Sequence, residues 1–178
     1  MVGSHLKSPN DLIGFPVFPP GTKSMLKKHL SKEVWNKLKT FKDTHGFTFK
    51  QAIFSGCKNT DSGIGVYAGS HNSYRAFAEL FDKIIEEYHG HKKGDVHQSD
   101  MDYTKLQCPP FEAKEAKLIK STRIRVGRNL ADYPLGPGLS KEQRKEVETK
   151  VTLALNSFTG ELQGKYYSLA SLTDKERK

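Results

Sequence analysis

Two stretches carry residue types whose spacing could do chemistry. In STRIRVGR, residues 121–128, Arg123, Arg125 and Arg128 lie within six positions. Strand side chains alternate faces, so a strand here puts Arg123 and Arg125 on one side, and Thr122, Ile124 and Val126 on the other. Two guanidiniums about 7 Å apart suit a polyphosphate. Each offers phosphate oxygens a planar fork of donors, and the pair repels itself without an anion. The same spacing also fits an exposed sheet face whose arginines meet glutamates elsewhere. In KNTDSGIGVYAGS, residues 58–70, Gly63 and Gly65 bracket Ile64, with Asp61, Ser62 and Tyr67 adding polar groups. Glycine admits positive φ and close approach of a ligand, so this loop could cradle a small carboxylate on backbone amides. DSG also fits an ordinary turn.

The elements around these stretches must place them. Pro9, Pro16, Pro19, Pro20 and Gly21 make residues 7–22 an irregular arm. A helical pattern starts at Ser24, with Met25, Leu26 and Leu30 apolar. Ser31 caps the next helix, where Val34, Trp35 and Leu38 share a face. Residues 44–46 break the pattern. FTFKQAIFSG follows, with Phe47, Ile53 and Phe54 buried and Gly56 closing it. Tyr74, Phe77, Ala78, Phe81, Ile84, Ile85 and Tyr88 then follow one helical stripe, and Gly90 suits the position just past its end.

Residues 91–116 are polar, with adjacent prolines and no sustained period, and read as a linker. A strand is expected over 117–126. After DYPLGPG, Ser140 and Gln143 make a capping box for a long helix that buries Val147, Val151, Ala154, Leu155 and Phe158. A second strand is expected in KYYSLASL, and Thr173 opens a further cap. Two strands and one helix cannot cover both faces of a sheet, so this unit reads as the beginning of a larger domain.

Composition bounds the function. The 178 residues are 35% hydrophobic and 28% charged, enough for a core, and the net charge of +9 favours an anionic partner. Solvated surface lysines account for such a charge equally well. Cys57 and Cys108 belong to no CxxC pair, and His89, His91 and His97 have no metal-ligand spacing, so no metal site is expected. Free thiols, no secretory signal and no apolar run of about 20 residues point to a cytoplasmic protein. There is no GxxxxGK[ST] loop and no kinase-type GxGxxG, so a bound nucleotide would be held by arginine side chains.

Taken together and in this order, DSGIGVYA, YRAFAELFDKIIEEYHG, STRIRVGRNLADYPL and FTGELQGKYYSLASL resemble the phosphagen kinases, the ATP:guanidino phosphotransferases. The resemblance runs from about residue 22 to the C-terminus. It implies an α+β fold: a small all-helical N-terminal domain, then the start of an antiparallel-sheet α/β catalytic domain. The implied boundaries are an arm over 1–21, a helical domain over 22–95, a linker over 96–116 and the second domain from 117 to 178. The resemblance assigns ATP or ADP with Mg2+ to Ser121, Thr122, Arg123, Ile124, Arg125 and Arg128. It assigns the guanidino substrate to Ser62, Gly63, Ile64, Gly65, Val66 and Tyr67, with Asp61 helping to hold a closed state. The loop pattern is most similar to members that phosphorylate L-arginine; taurocyamine, lombricine and creatine stay open as acceptors. The family's later TCPxNxGT motif is absent, so the chain is expected to resemble the N-terminal part only. It is expected to hold no catalytic residue of its own, to be inactive alone, and to associate with a C-terminal half or with itself. Membrane and nucleic-acid partners are not expected, a nucleic-acid or other non-catalytic interaction module being the alternative.

Overall fold

The computed structural model describes residues 6–107 and 109–177. Cys108, given no chemistry above, lies outside them, as do positions 1–5 of the arm and Lys178. Five helices build the first unit: α1 (Met25–His29), α2 (Lys32–Leu38), α3 (Phe49–Lys58), α4 (Ser73–Ala76) and α5 (Ala78–His89). Side chains cap the starts of the first three. Ser24 Oγ accepts the Lys27 N–H at 3.2 Å and Ser31 Oγ the Val34 N–H at 3.1 Å. Thr48 and Gln51 form a reciprocal box, each side chain accepting the other's backbone N–H. Caps of this kind contribute about 1 kcal/mol each.

Phe49, Phe77, Leu26, Ile53 and Leu80 are fully buried, and Trp35, Leu38 and Phe81 nearly so. The Phe77 ring packs against Phe49 at 5.5 Å and Phe81 at 5.8 Å between centroids. Burying each such side chain is worth about 1.5–3 kcal/mol. The arm is irregular but fastened to this core through buried Leu12, with Phe15 and Phe18 packed beside it.

Residues 73–90 are not one helix: the chain bends at Phe77, with φ −113° and ψ 22°, between α4 and α5. The bend accompanies full burial of Phe77 and the tethering of Ser73, while Tyr74 and Tyr88 lie largely exposed. Gly90 does end the helix, at φ 69°. Gly56 does not close α3; it lies buried inside it. Phe54 is only partly buried.

The tether is Asp43, 5% exposed. Its carboxylate accepts from Ser70 Oγ at 2.7 Å and Ser73 Oγ at 2.6 Å. It also accepts the N–H groups of Phe47 and His45, both at 2.9 Å. Burial pushes the carboxyl's pKa up, but the four hydrogen bonds outweigh it and hold the group below the ordinary carboxylate range. One side chain thereby joins the turn before α3 to the start of α4.

The rest of the chain is mostly open. It holds α6 (Ala113–Ala116), α7 (Lys141–Asn156) and short 3-10 turns, among them Gly136–Gly138. The helical domain is as expected, but the described residues contain no strand, only an isolated bridge between Lys42 and Thr48. Residues 117–126 are exposed throughout, with Ile124 at 86% and Val126 at 81%, and 165–172 are likewise irregular. A strand is stable only when a neighbour takes its backbone groups and a core covers its apolar face, and here neither is present. The α7 cap is as read, Ser140 and Gln143 bonding each other's backbone, but none of the helix is buried, against the expectation for Val147, Val151, Ala154 and Leu155; Phe158, just beyond, is also exposed.

Replacing Asp43 by Asn should destabilise the fold by about 2–4 kcal/mol in denaturant unfolding, because charged acceptance at four donors is lost. The folded pKa of Asp43 is depressed, so its contribution is present above about pH 4 and fades as pH falls through the folded value. The Asn variant should therefore show a flatter acid limb than the parent; an unchanged limb would remove this role from Asp43.

Candidate functional site

The glycine loop is held from two sides. The N-terminus of α1 donates Met25 N–H to Gly63 O at 2.9 Å and Leu26 N–H to Ile64 O at 3.0 Å. On the other side, Tyr67 N–H donates to Ala52 O of α3 at 2.9 Å. Between these ties Gly65 is buried at φ +87°, a region that side chains rarely adopt. A Cβ on Gly56 would stand 2.3 Å from Gly65 O, and one on Gly65 would stand 2.8 Å from Leu26 Cβ. Both glycines are thus required by contact, which a glycine inside an amphipathic helix pattern signals without naming the partner.

The carbonyls of Gly63 and Ile64 are taken by α1, while four amides in the middle of the loop are left over. Among the described residues no protein acceptor takes the N–H of Gly63, Ile64, Gly65 or Val66. Met25, Ser62, Gly63, Ile64, Gly65, Val66, Tyr67 and Tyr88 bound a cavity of about 480 Å³. Ile64 and Val66 also line a smaller apolar cavity of about 180 Å³, walled by Phe81, Ile84 and Tyr88. Tyr88, at the end of the α5 stripe, borders both spaces. The loop therefore offers unpaired backbone donors over an apolar floor, a setting for a small anion carried on an organic body. Asp61 is exposed.

The arginine stretch is built differently. Ser121, Thr122, Arg123, Ile124, Arg125 and Arg128 are all exposed and outside any regular element. Arg128 donates to the neighbouring Gly127 O at 2.7 Å. No hydrogen bond or ion pair among the described residues joins these side chains to residues 62–67, so the two candidate stretches are not assembled into one site. Cys57 is buried in α3, and burial alone pushes its thiol up to about 12, which makes it inert. No group of three or more His, Cys, Asp or Glu among the described residues could hold a metal ion. No helix among them is long and apolar enough to cross a membrane.

Comparison with known proteins gives this architecture a family. Residues 20–86 match the model of the ATP:guanido phosphotransferase N-terminal domain. The chain is 45% identical over 152 residues to the arginine kinase Lit v 2 of Penaeus vannamei, spanning 85% of this chain and 42% of that protein. The chain carries an ATP:guanido phosphotransferase N-terminal domain. It is also 43% identical over 167 residues to an arginine kinase of Anthopleura japonica, spanning 90% of this chain and 23% of that one. Among solved structures it resembles a lombricine kinase, with TM-score 0.76, 28% identity and coverage of 97% of this chain and 46% of the other. It resembles the duplicated taurocyamine kinase of Schistosoma mansoni with TM-score 0.70 and 26% identity, covering 89% of this chain and 22% of that one. The chain thus spans less than half the length of these guanidino-kinase relatives.

The Gly56–Gly65 contact can be tested directly. Gly56→Ala should destabilise the protein by about 1–3 kcal/mol and displace the amide resonances of residues 63–67, since a backbone atom must give way. Unshifted loop resonances in that variant would mean the loop is not seated on α3.

Proposed function

We propose that this chain supplies the acceptor-holding domain and the first nucleotide-binding arginines of a guanidino phosphotransferase, with L-arginine as the acceptor. The observation that carries this reading is the run of four unpaired amides bordering the 480 Å³ cavity. An amino-acid carboxylate satisfies such donors, and the aliphatic stem of arginine suits the apolar floor. The kinship with arginine kinases supports the same acceptor, while the likeness to lombricine and taurocyamine kinases keeps those acceptors in the test.

In this reading the loop fixes the amino-acid end of the acceptor and leaves its guanidino group free to meet ATP. Arg123 and Arg125, with Arg128 beside them, take phosphate oxygens of MgATP and stabilise charge on the transferring phosphoryl group. The Mg2+ travels with the nucleotide. Phosphoryl transfer rests on positioning and electrostatics, so loop and arginines act only when brought together around both substrates. We place the helical domain at 22–95, the linker at 96–116 and the second unit from 117. The stretch 117–126 becomes a strand when partner strands and a covering core are present, which aligns Arg123 with Arg125. Such transfer would buffer ATP in the cytoplasm, and the 178-residue chain alone is expected to turn over no acceptor.

Titration of the labelled chain with L-arginine should move the amide resonances of residues 63–67. Agmatine, which lacks the carboxylate, should bind at least about tenfold more weakly. Arg123→Ala with Arg125→Ala should weaken ATP binding and leave the arginine response intact. Equal binding of agmatine and L-arginine would overturn the carboxylate assignment; a stronger response to taurocyamine or lombricine would replace the acceptor.

A further inference from the structure

The seven residues 133–139 behave unlike the open chain on either side of them. Pro134 is buried and Tyr133, Leu135, Gly138 and Leu139 are partly so. Leu135 N–H donates to Gly69 O at 2.8 Å, reaching across 66 positions of sequence into the helical domain. Gly138 lies so close that a Cβ there would stand 2.3 Å from Gly69 O and 2.9 Å from Gly69 C. Gly69 is itself pressed against Phe47, whose ring would lie 2.1 Å from an added Cβ. The far side of Gly69 is fixed as well, its N–H donating to Ser73 Oγ, which Asp43 holds.

This contact bears on the acceptor loop, because Gly69 is two residues beyond Tyr67. Pro137 and Tyr67 face a common cavity of about 400 Å³, together with Phe47, Gln51, Phe54 and Ser55. Within the segment, Gly138 N–H donates to Leu135 O at 2.8 Å, and Arg144 of α7 donates to Gly136 O at 2.7 Å. One wall of the space beside the Tyr67 ring is therefore supplied by a segment that α7 holds from its own side.

We propose that residues 134–138 are a strap that positions Tyr67, with Gly138 and Pro137 as positioning residues for the acceptor loop. Gly138 permits the backbone approach, and Pro137 walls the cavity it shares with Tyr67. Docking of the segment before α7 is thereby coupled to the shape of the acceptor site. The effect on acceptor affinity rests on the function proposed above; the effect on Tyr67 does not.

The test uses the 178-residue chain and three variants. Gly138→Val should abolish docking, because its Cβ meets a backbone oxygen. Gly136→Ala is the control, since nothing lies within 4 Å of a Cβ there. Pro137→Ala removes the ring while leaving the Leu135–Gly69 hydrogen bond. Hydrogen exchange of the Leu135 amide reads docking, the Tyr67 ring resonances read positioning, and the dissociation constant for L-arginine reads the consequence. Expected are fast Leu135 exchange and moved Tyr67 resonances in Gly138→Val. In Pro137→Ala, Leu135 should remain protected, Tyr67 should move and L-arginine binding should weaken by about three- to tenfold. Gly136→Ala should match the parent in all three. A Leu135 amide unprotected in the parent, or Tyr67 resonances unmoved in both test variants, would overturn the strap. A parent that binds no L-arginine would remove the acceptor reading while the exchange and ring measurements still decide the strap.

Discussion

The close approach of Gly56 to Gly65 is the constraint on which the loop at residues 62–67 depends. Two backbones meet with no side chain between them, which lets the loop lie directly on α3 and puts its carbonyls within reach of the α1 N-terminus. Gly63 O and Ile64 O are committed to Met25 and Leu26, and the amides of residues 63–66 have no acceptor among the described residues. That these amides stay unpaired thus follows from how the loop is packed. A bulkier residue at either glycine would separate the backbones and disturb both sets of ties.

Asp43 does comparable work at the other end of the loop. Its four hydrogen bonds fix the turn before α3 and the Gly69–Ser73 turn together, and Gly69 in turn receives Leu135. Ion pairs add lesser ties: Glu87 of α5 meets Lys28 at 2.7 Å and His29 at 2.5 Å, and these hydrogen bonds hold its carboxyl below the ordinary range. Exposed pairs of this sort contribute little next to the buried network. The glycine loop is consequently bounded by rigid contacts, while among the described residues the arginine stretch is tied only to its own neighbour. The two halves of the proposed chemistry differ in readiness for that reason.

Much of the helical domain was legible because its signals are local. Ser24 and Ser31 cap the helices they precede, as Ser140 does for α7, and Gly90 ends α5 as its position suggests, whereas the Thr48–Gln51 box went unread. The loop was legible as a motif, since two glycines around an apolar residue beside Asp-Ser is a pattern with a backbone purpose. The bend at Phe77 was not legible, because the apolar stripe continues through it and only the pull of the core and of Asp43 interrupts it. Gly56 looked like a terminator, and its partner lies nine residues away across a fold that the pattern does not contain.

The amino-acid sequence by itself determined the starts of α1, α2 and α7, the apolar stripe of the helical domain, the glycine loop, the basic character of residues 117–128 and the resemblance to guanidino phosphotransferases. These depend on side-chain chemistry and on spacing within a few residues. Only the tertiary structure decided which amides of the loop stay unpaired, that Tyr88 borders the cavity beside the loop, and that the segment before α7 reaches Gly69. It also decided that residues 117–126 stay irregular and α7 uncovered, against their strand and helix-face patterns. An alternating pattern states which side of a strand could be buried; burial itself needs a partner surface, and hydrogen-bond pairing needs a neighbouring backbone.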